Sequence, residues 1–136
     1  MLMSAFRDKS NINFTAADTL QKQHNLYDPS IHCSYYACVQ EMLHIIFTKL
    51  GKTQEEFDKE RYDNGKGTHV WASKLITSEL GRKDWQEYKY FQKHFPELKK
   101  LREKADYSER KGGRDDSAEA YRLSTTLVNQ IKQLFK

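Results

Sequence analysis

Three observations predict an all-α fold, an up-and-down bundle of four to five helices. The 136 residues include only two Pro and six Gly and are 38% hydrophobic and 31% charged, which favours long helices over a turn-rich sandwich. Apolar residues recur at helical spacing, as in Ala120, Leu123, Leu127, Ile131 and Leu134. The stretch from Ser30 to Leu50, SIHCSYYACVQEMLHIIFTKL, is apolar around most of a helical circumference, so other helices must wrap it.

The elements follow in chain order. Residues 1–12 are expected to be a flexible amino terminus, with one domain over 13–136 and a first helix starting near Asn13 or Thr15. Asp28 and Pro29 should stop it and start the next, because proline's missing donor costs nothing in a first helical turn. The long helix then runs to Leu50, where Gly51 supplies a left-handed cap. Thr53 and Glu56 form a T-x-x-E capping box for a short helical piece through Glu60. Asn64, Gly65 and Gly67 mark a loop. A further helix opens at Thr68 and is expected to end at Gly81. Asp84 can cap WQEYKYFQKHF, which Pro96 should kink or break before ELKKLREKADY. The linker RKGGR (110–114) leads to the last helix, with Asp116 and Glu119 as a capping pair.

A chain of this length can bury about two thirds of its unfolded surface and needs no disulfide or metal to fold. Cys33 and Cys38 lie on one helix and point apart, a pattern that fits a reducing cytoplasm. No apolar run matches a signal peptide or a membrane span, so a soluble cytoplasmic protein with no membrane partner is expected. The net charge of +4 and pI of about 9.0 are compatible with nucleic acid without requiring it.

Within the long helix, Ser34, Ala37, Glu41, His44 and Thr48 form a narrow polar seam, which should face a cleft or a partner subunit. Glu41 and His44 make an E-x-x-H pair, but a di-metal centre needs a second copy that the chain lacks, so no metal or other cofactor is expected. His69 follows a glycine-containing loop with Lys66 close by, where a helix start attracts anions; capping by Thr68 and His69 is the simpler alternative. Arg102 and Asp106 stand at i and i+4 with Tyr107 alongside, the pattern of a helix salt bridge. Lys99, Lys100, Arg102 and Lys104 would suit an RNA backbone if they joined the RKGGR linker in one basic surface. Tyr88, Tyr90, Phe91 and Phe95 could stack bases, although aromatics so spaced are more often core. The cysteines sit inside a helix rather than at its start, which argues against an activated thiolate.

Three segments, in this order, resemble the HEPN family of nucleotide-binding helical bundles found in higher eukaryotes and prokaryotes. SYYACVQEML is similar to the family's S-x-x-Y-Y-A pattern, Thr68–His69 to its K-x-H-x-G-V segment, and LREKADY (101–107) to its L-x-x-x-R-x-x-A-D-Y signature. The resemblance spans residues 13–136. It implies a cytoplasmic homodimer of a prokaryote, acting beside a minimal nucleotidyltransferase as toxin and antitoxin or in phage defence, often with ribonuclease activity. The family's nuclease motif is an Arg followed after four to six residues by a His. Here Tyr107 stands five positions after Arg102 and no His falls in the window, while Arg61 and His69 are too far apart.

Three readings follow. In the first the protein binds RNA, a nucleotide or a nucleotidyltransferase partner, with Arg102, Asp106 and Tyr107 near its cleft and Lys66, His69, Lys99 and Lys104 as ligand contacts. In the second it is a metal-independent ribonuclease toxin using Arg102 with Tyr107 or His69. In the third it is a non-catalytic interaction module, whose dimer is registered by Tyr35, Tyr36, Glu41 and His44.

Overall fold

The computed structural model describes residues 4–136 and is all-α, with helices α1 (Phe6–Lys22), α2 (Tyr27–Thr48), α3 (Gln54–Asp63), α4 (Thr68–Lys83), α5 (Trp85–Tyr107) and α6 (Arg114–Leu134). Six helices stand where four to five were expected, because the piece behind Thr53 forms a separate 10-residue helix. Its capping box is present as predicted, with Thr53 and Glu56 each bonded to the other's backbone N–H.

Helix α2 is the centre of the bundle and touches α1, α4, α5 and α6. Ile31, Tyr35, Cys38, Met42, Ile45 and Ile46 are buried along it, as its all-round apolarity required. Its pairings reveal helix direction. Arg7 meets Glu41, Ser10 meets Ala37 and Ala17 meets Ser30, so α1 runs antiparallel to α2. His32 meets Asp106 and Tyr35 meets Arg102, so α5 is antiparallel too. Ser30 meets Ser117 and Ser34 meets Ser124, which makes α6 parallel to α2. Serines and alanines at these crossings let the backbones approach closely.

Several local expectations give way to tertiary contacts. Residues 1–3 of the stretch expected to be flexible lie outside the described residues, but α1 begins at Phe6 rather than near Asn13. The SNIN run is a poor helix former; Phe6 against Phe47, at 5.6 Å between ring centroids, and the Arg7 and Ser10 contacts hold its first turns. Asp28 does not cap α2: its Oδ1 accepts the backbone N–H of Gly112 at 3.0 Å, and a Cβ at Gly112 would collide with that carboxylate. Gly51 has the left-handed φ of 69° expected at the end of the long helix.

Gly81 does not end α4, which continues to Lys83, and a Cβ there would meet the Tyr88 ring of α5 only at an ordinary contact distance of 3.6 Å. Asp84 then caps α5 by accepting from the N–H groups of Gln86 and Glu87. Pro96 neither breaks nor ends α5. Phe91, Phe95, Leu98 and Arg102 are buried on one side of it, while Gln92 and Pro96 are exposed, so the carbonyl deprived of its partner meets water. Asp116 and Glu119 do not form the expected capping pair, since Gly113 is the cap of α6 and Glu119 pairs with Arg122 at 2.6 Å. Among the described residues no helix is long and apolar enough to cross a membrane.

Candidate anion-binding site

The amino-terminal half of α2, the start of α4 and the last third of α5 converge on one polar cluster. Helix α2 contributes His32, Tyr35 and Tyr36, which share a stripe at i, i+3 and i+4. From α4 comes His69, the second residue of the helix, and from α5 come Lys99, Arg102 and Asp106 along one face.

Arg102 is the centre. Its residue is 8% exposed, and its guanidinium carbon lies 4.7 Å from the Tyr35 ring and 5.9 Å from the Tyr107 ring. Its one carboxylate neighbour is Asp106, at 3.5 Å, too long for a strong bidentate pair, and its buried Nε has no hydrogen-bond partner. Tyr35, Tyr36 and Asp106 keep this guanidinium charged against the cost of burial, and donors left without a close carboxylate are what an incoming anion would satisfy.

Asp106 bonds better to His32, whose Nδ1 lies 3.1 and 3.0 Å from the two carboxylate oxygens. An ionised carboxylate only accepts, so Nδ1 carries a proton, and in the neutral ring Nε2 is the acceptor. The His32 side chain is 47% exposed, which keeps that edge open to a ligand.

Tyr35 is fully buried, and burial, partly offset by Arg102, pushes its phenol up to about 12. It therefore stays neutral and shares a hydrogen bond with Nδ1 of His69 at 3.3 Å. Burial, with further lowering from Arg102, Lys99 and His32, holds His69 below the ordinary imidazole value. His69 is thus held toward its neutral form within a cationic cluster. The Tyr36 ring packs edge-on against His69 and tilted against His32, with centroids 5.0 and 4.6 Å apart.

Beside this cluster an open groove of about 290 Å³ runs between α4 and α5, lined by Tyr35, His69, Val70, Ser73, Lys74, Phe95, Pro96 and Lys99.

Of the residues singled out in the sequence, Arg102, Asp106, His69, Lys99, Tyr35 and Tyr36 are brought together. Tyr107 is at the edge, 78% exposed. Lys66 lies in the turn before α4 and does not line the groove. Lys104 lines a different groove with Leu101, Glu119 and Leu123, so the imagined single basic surface is not formed: Arg102 is buried and the lysines diverge around α5. Phe91 and Phe95 stack on each other in the core at 5.5 Å, and are not free platforms for bases.

The seam of α2 is also corrected. Glu41 is fully buried and held by Arg7 of the same chain, Nη2 to Oε1 at 2.6 Å and Nε to Oε1 at 3.1 Å, so α1 covers the seam where a cleft or partner was expected. Thr48 bonds back to the carbonyl of His44, and the Nδ1 of His44 is buried without a partner. Both cysteines are free thiols, raised by burial, as inert core groups should be.

Sequence reasoning missed His32. The available signal was its spacing to Tyr35 and Tyr36; its link to Asp106 across 74 positions was not legible before folding.

Acid should expose the strained imidazoles. Burial and nearby cations lower both His44 and His69, so the native state refuses protons that the unfolded chain accepts below about pH 6.5. Stability should therefore fall with pH through that value and level off once the native values are passed. His69→Gln should show a shallower loss between about pH 6.5 and 5.5 in urea titrations than the parent; an identical slope would mean that His69 titrates normally.

No family model matches the chain, no curated protein matches it, and no solved structure matches it.

Proposed function

We propose that this protein is a HEPN-type helical bundle that binds single-stranded RNA or a nucleotide through a phosphate held at Arg102. The observation that carries the reading is the buried, under-partnered guanidinium of Arg102, with Lys99 nearby and neutral His69 and open His32 as further polar contacts. Phosphate oxygens satisfy such a guanidinium where a 3.5 Å contact to one carboxylate does not. That the protein acts as a homodimer, with a nucleotidyltransferase antitoxin in a prokaryotic toxin-antitoxin or defence system, rests on the resemblance of SYYACVQEML, Thr68–His69 and LREKADY to that family.

A second reading is favoured by the His32–Asp106 pair. In it the protein cleaves RNA without a metal. The open Nε2 of His32 takes the proton of a ribose 2′-hydroxyl, the 2′ oxygen bonds to phosphorus, and the bond from phosphorus to the 5′ oxygen breaks. That oxygen takes a proton from water, leaving a 2′,3′-cyclic phosphate, while Arg102 balances charge on the phosphoryl oxygens. The histidine absent from the window behind Arg102 is thus supplied by another helix.

Fluorescence anisotropy with a labelled single-stranded RNA tests the first reading. Log affinity should fall against log salt with a slope near −1.4, for about two phosphates, at Arg102 and Lys99, at roughly −0.7 each. Binding that is absent or indifferent to salt would remove it. Gel analysis of the same RNA tests the second: cleavage should vanish in His32→Ala and on a 2′-deoxy strand, with binding retained.

A further inference from the structure

We propose that the groove between α4 and α5 is a nucleobase pocket, receiving one unstacked base of the strand whose phosphate sits at Arg102. The proposal rests on the phosphate reading above and adds what the site recognises besides charge.

The groove and the cation share a wall. Tyr35 lies under the Arg102 guanidinium and also lines the groove, as do His69 and Lys99, so a ligand anchored on Arg102 continues directly into it. A volume of about 290 Å³ is at the small end of ligand clefts and suits one nucleoside unit rather than a peptide helix or a lipid chain. Its apolar walls are Val70, Pro96 and the small part of Phe95 that the core leaves accessible, while Ser73 and Lys74 offer polar contacts to the edge of a ring. That mixture of apolar wall and few polar groups is what a base needs on leaving its stack.

Charge favours the same occupant. The adjoining grooves on α5 set Glu97, Glu103 and Glu119 against Lys99, Lys100 and Lys104, so their charges balance. None of the residues lining this groove is a carboxylate, and Lys74 and Lys99 are both cationic. Val70 is 36% exposed, a large apolar side chain left open at the groove mouth. The two helices that form the pocket pack on each other, and α5 runs unbroken through Pro96.

The test is isothermal titration of the full chain with uridine, guanosine and adenosine 5′-monophosphates and with ribose 5-phosphate, which has the phosphate and sugar but no base. At least one nucleotide should bind about tenfold or more tightly than ribose 5-phosphate. Ser73→Leu, which fills the groove without changing charge and improves helix propensity, should erase that preference and leave ribose 5-phosphate binding as it was. Arg102→Met should weaken all four ligands by a similar factor. Equal binding of ribose 5-phosphate and every nucleotide, with Arg102→Met weakening both, would overturn the base pocket and leave the phosphate site standing. Nucleotide binding that Arg102→Met does not change would overturn the phosphate reading itself. A preference for nucleotides that survives Ser73→Leu, with an unchanged circular dichroism spectrum and melting temperature, would place the base elsewhere and end the proposal.

Discussion

Arg102→Met should weaken RNA binding about 10- to 100-fold and leave thermal stability unchanged or raised. A hydrogen bond to a charged group is worth about 1.5–3 kcal/mol, and each 1.4 kcal/mol is about a factor of ten in affinity. The stability half of the expectation is the more diagnostic. Arg102 is 8% exposed, its Nε is unpartnered and its link to Asp106 is 3.5 Å long, so although Tyr35, Tyr36 and Asp106 hold it charged, it bears the cost of burial without a close carboxylate pair. A methionine of similar length keeps the packing against Tyr35 and removes that cost. Anisotropy with labelled RNA and a thermal melt measure the two halves. A strong loss of stability with binding intact would mean that Arg102 is structural.

Arg7→Ala should destabilise the fold by about 3 kcal/mol, as much as many core truncations. Removing one partner of a buried ion pair costs about 3–5 kcal/mol because it strands the other charge. The low end applies because the Arg7 side chain is 38% exposed while Glu41 is fully buried, so water already reaches one side of the pair. For a chain of this length that corresponds to a fall of about 10 °C in melting temperature. Replacing both partners, as in Arg7→Met with Glu41→Leu, should recover most of it, since an apolar pair of similar volume leaves no stranded charge. A cost for Arg7→Ala below about 0.5 kcal/mol would show that the pair behaves like a surface salt bridge.

These two arginines differ in how visible they were beforehand. Arg102 stood out because it shares a helical face with Asp106 and lies in a segment with a recognisable pattern. Arg7 lay in a stretch of poor helix formers and was taken for part of a flexible terminus; only contacts with Phe47, Glu41 and Ala37 make it helical. The same contrast separates Gly51, whose left-handed turn is a local matter, from Gly112, whose missing side chain makes room for the Asp28 carboxylate of a distant helix. Pro96 follows the same rule: its local effect is to break a helix, and burial on both sides along α5 overrides it.

Spacing along the chain was enough to show an all-α fold, a wrapped central helix over most of Ser30–Leu50, which spans Tyr27–Thr48, and the places of the Thr53 capping box and the Gly51 turn. Those properties depend on residues within a turn or two of one another. Helix packing, by contrast, closes the Glu41 seam on Arg7 of the same chain, turns Lys104 away from the cluster and brings His32 into it through Asp106. Such outcomes depend on which faces of separate helices meet, a choice made by burying the most apolar surface across the whole bundle at once.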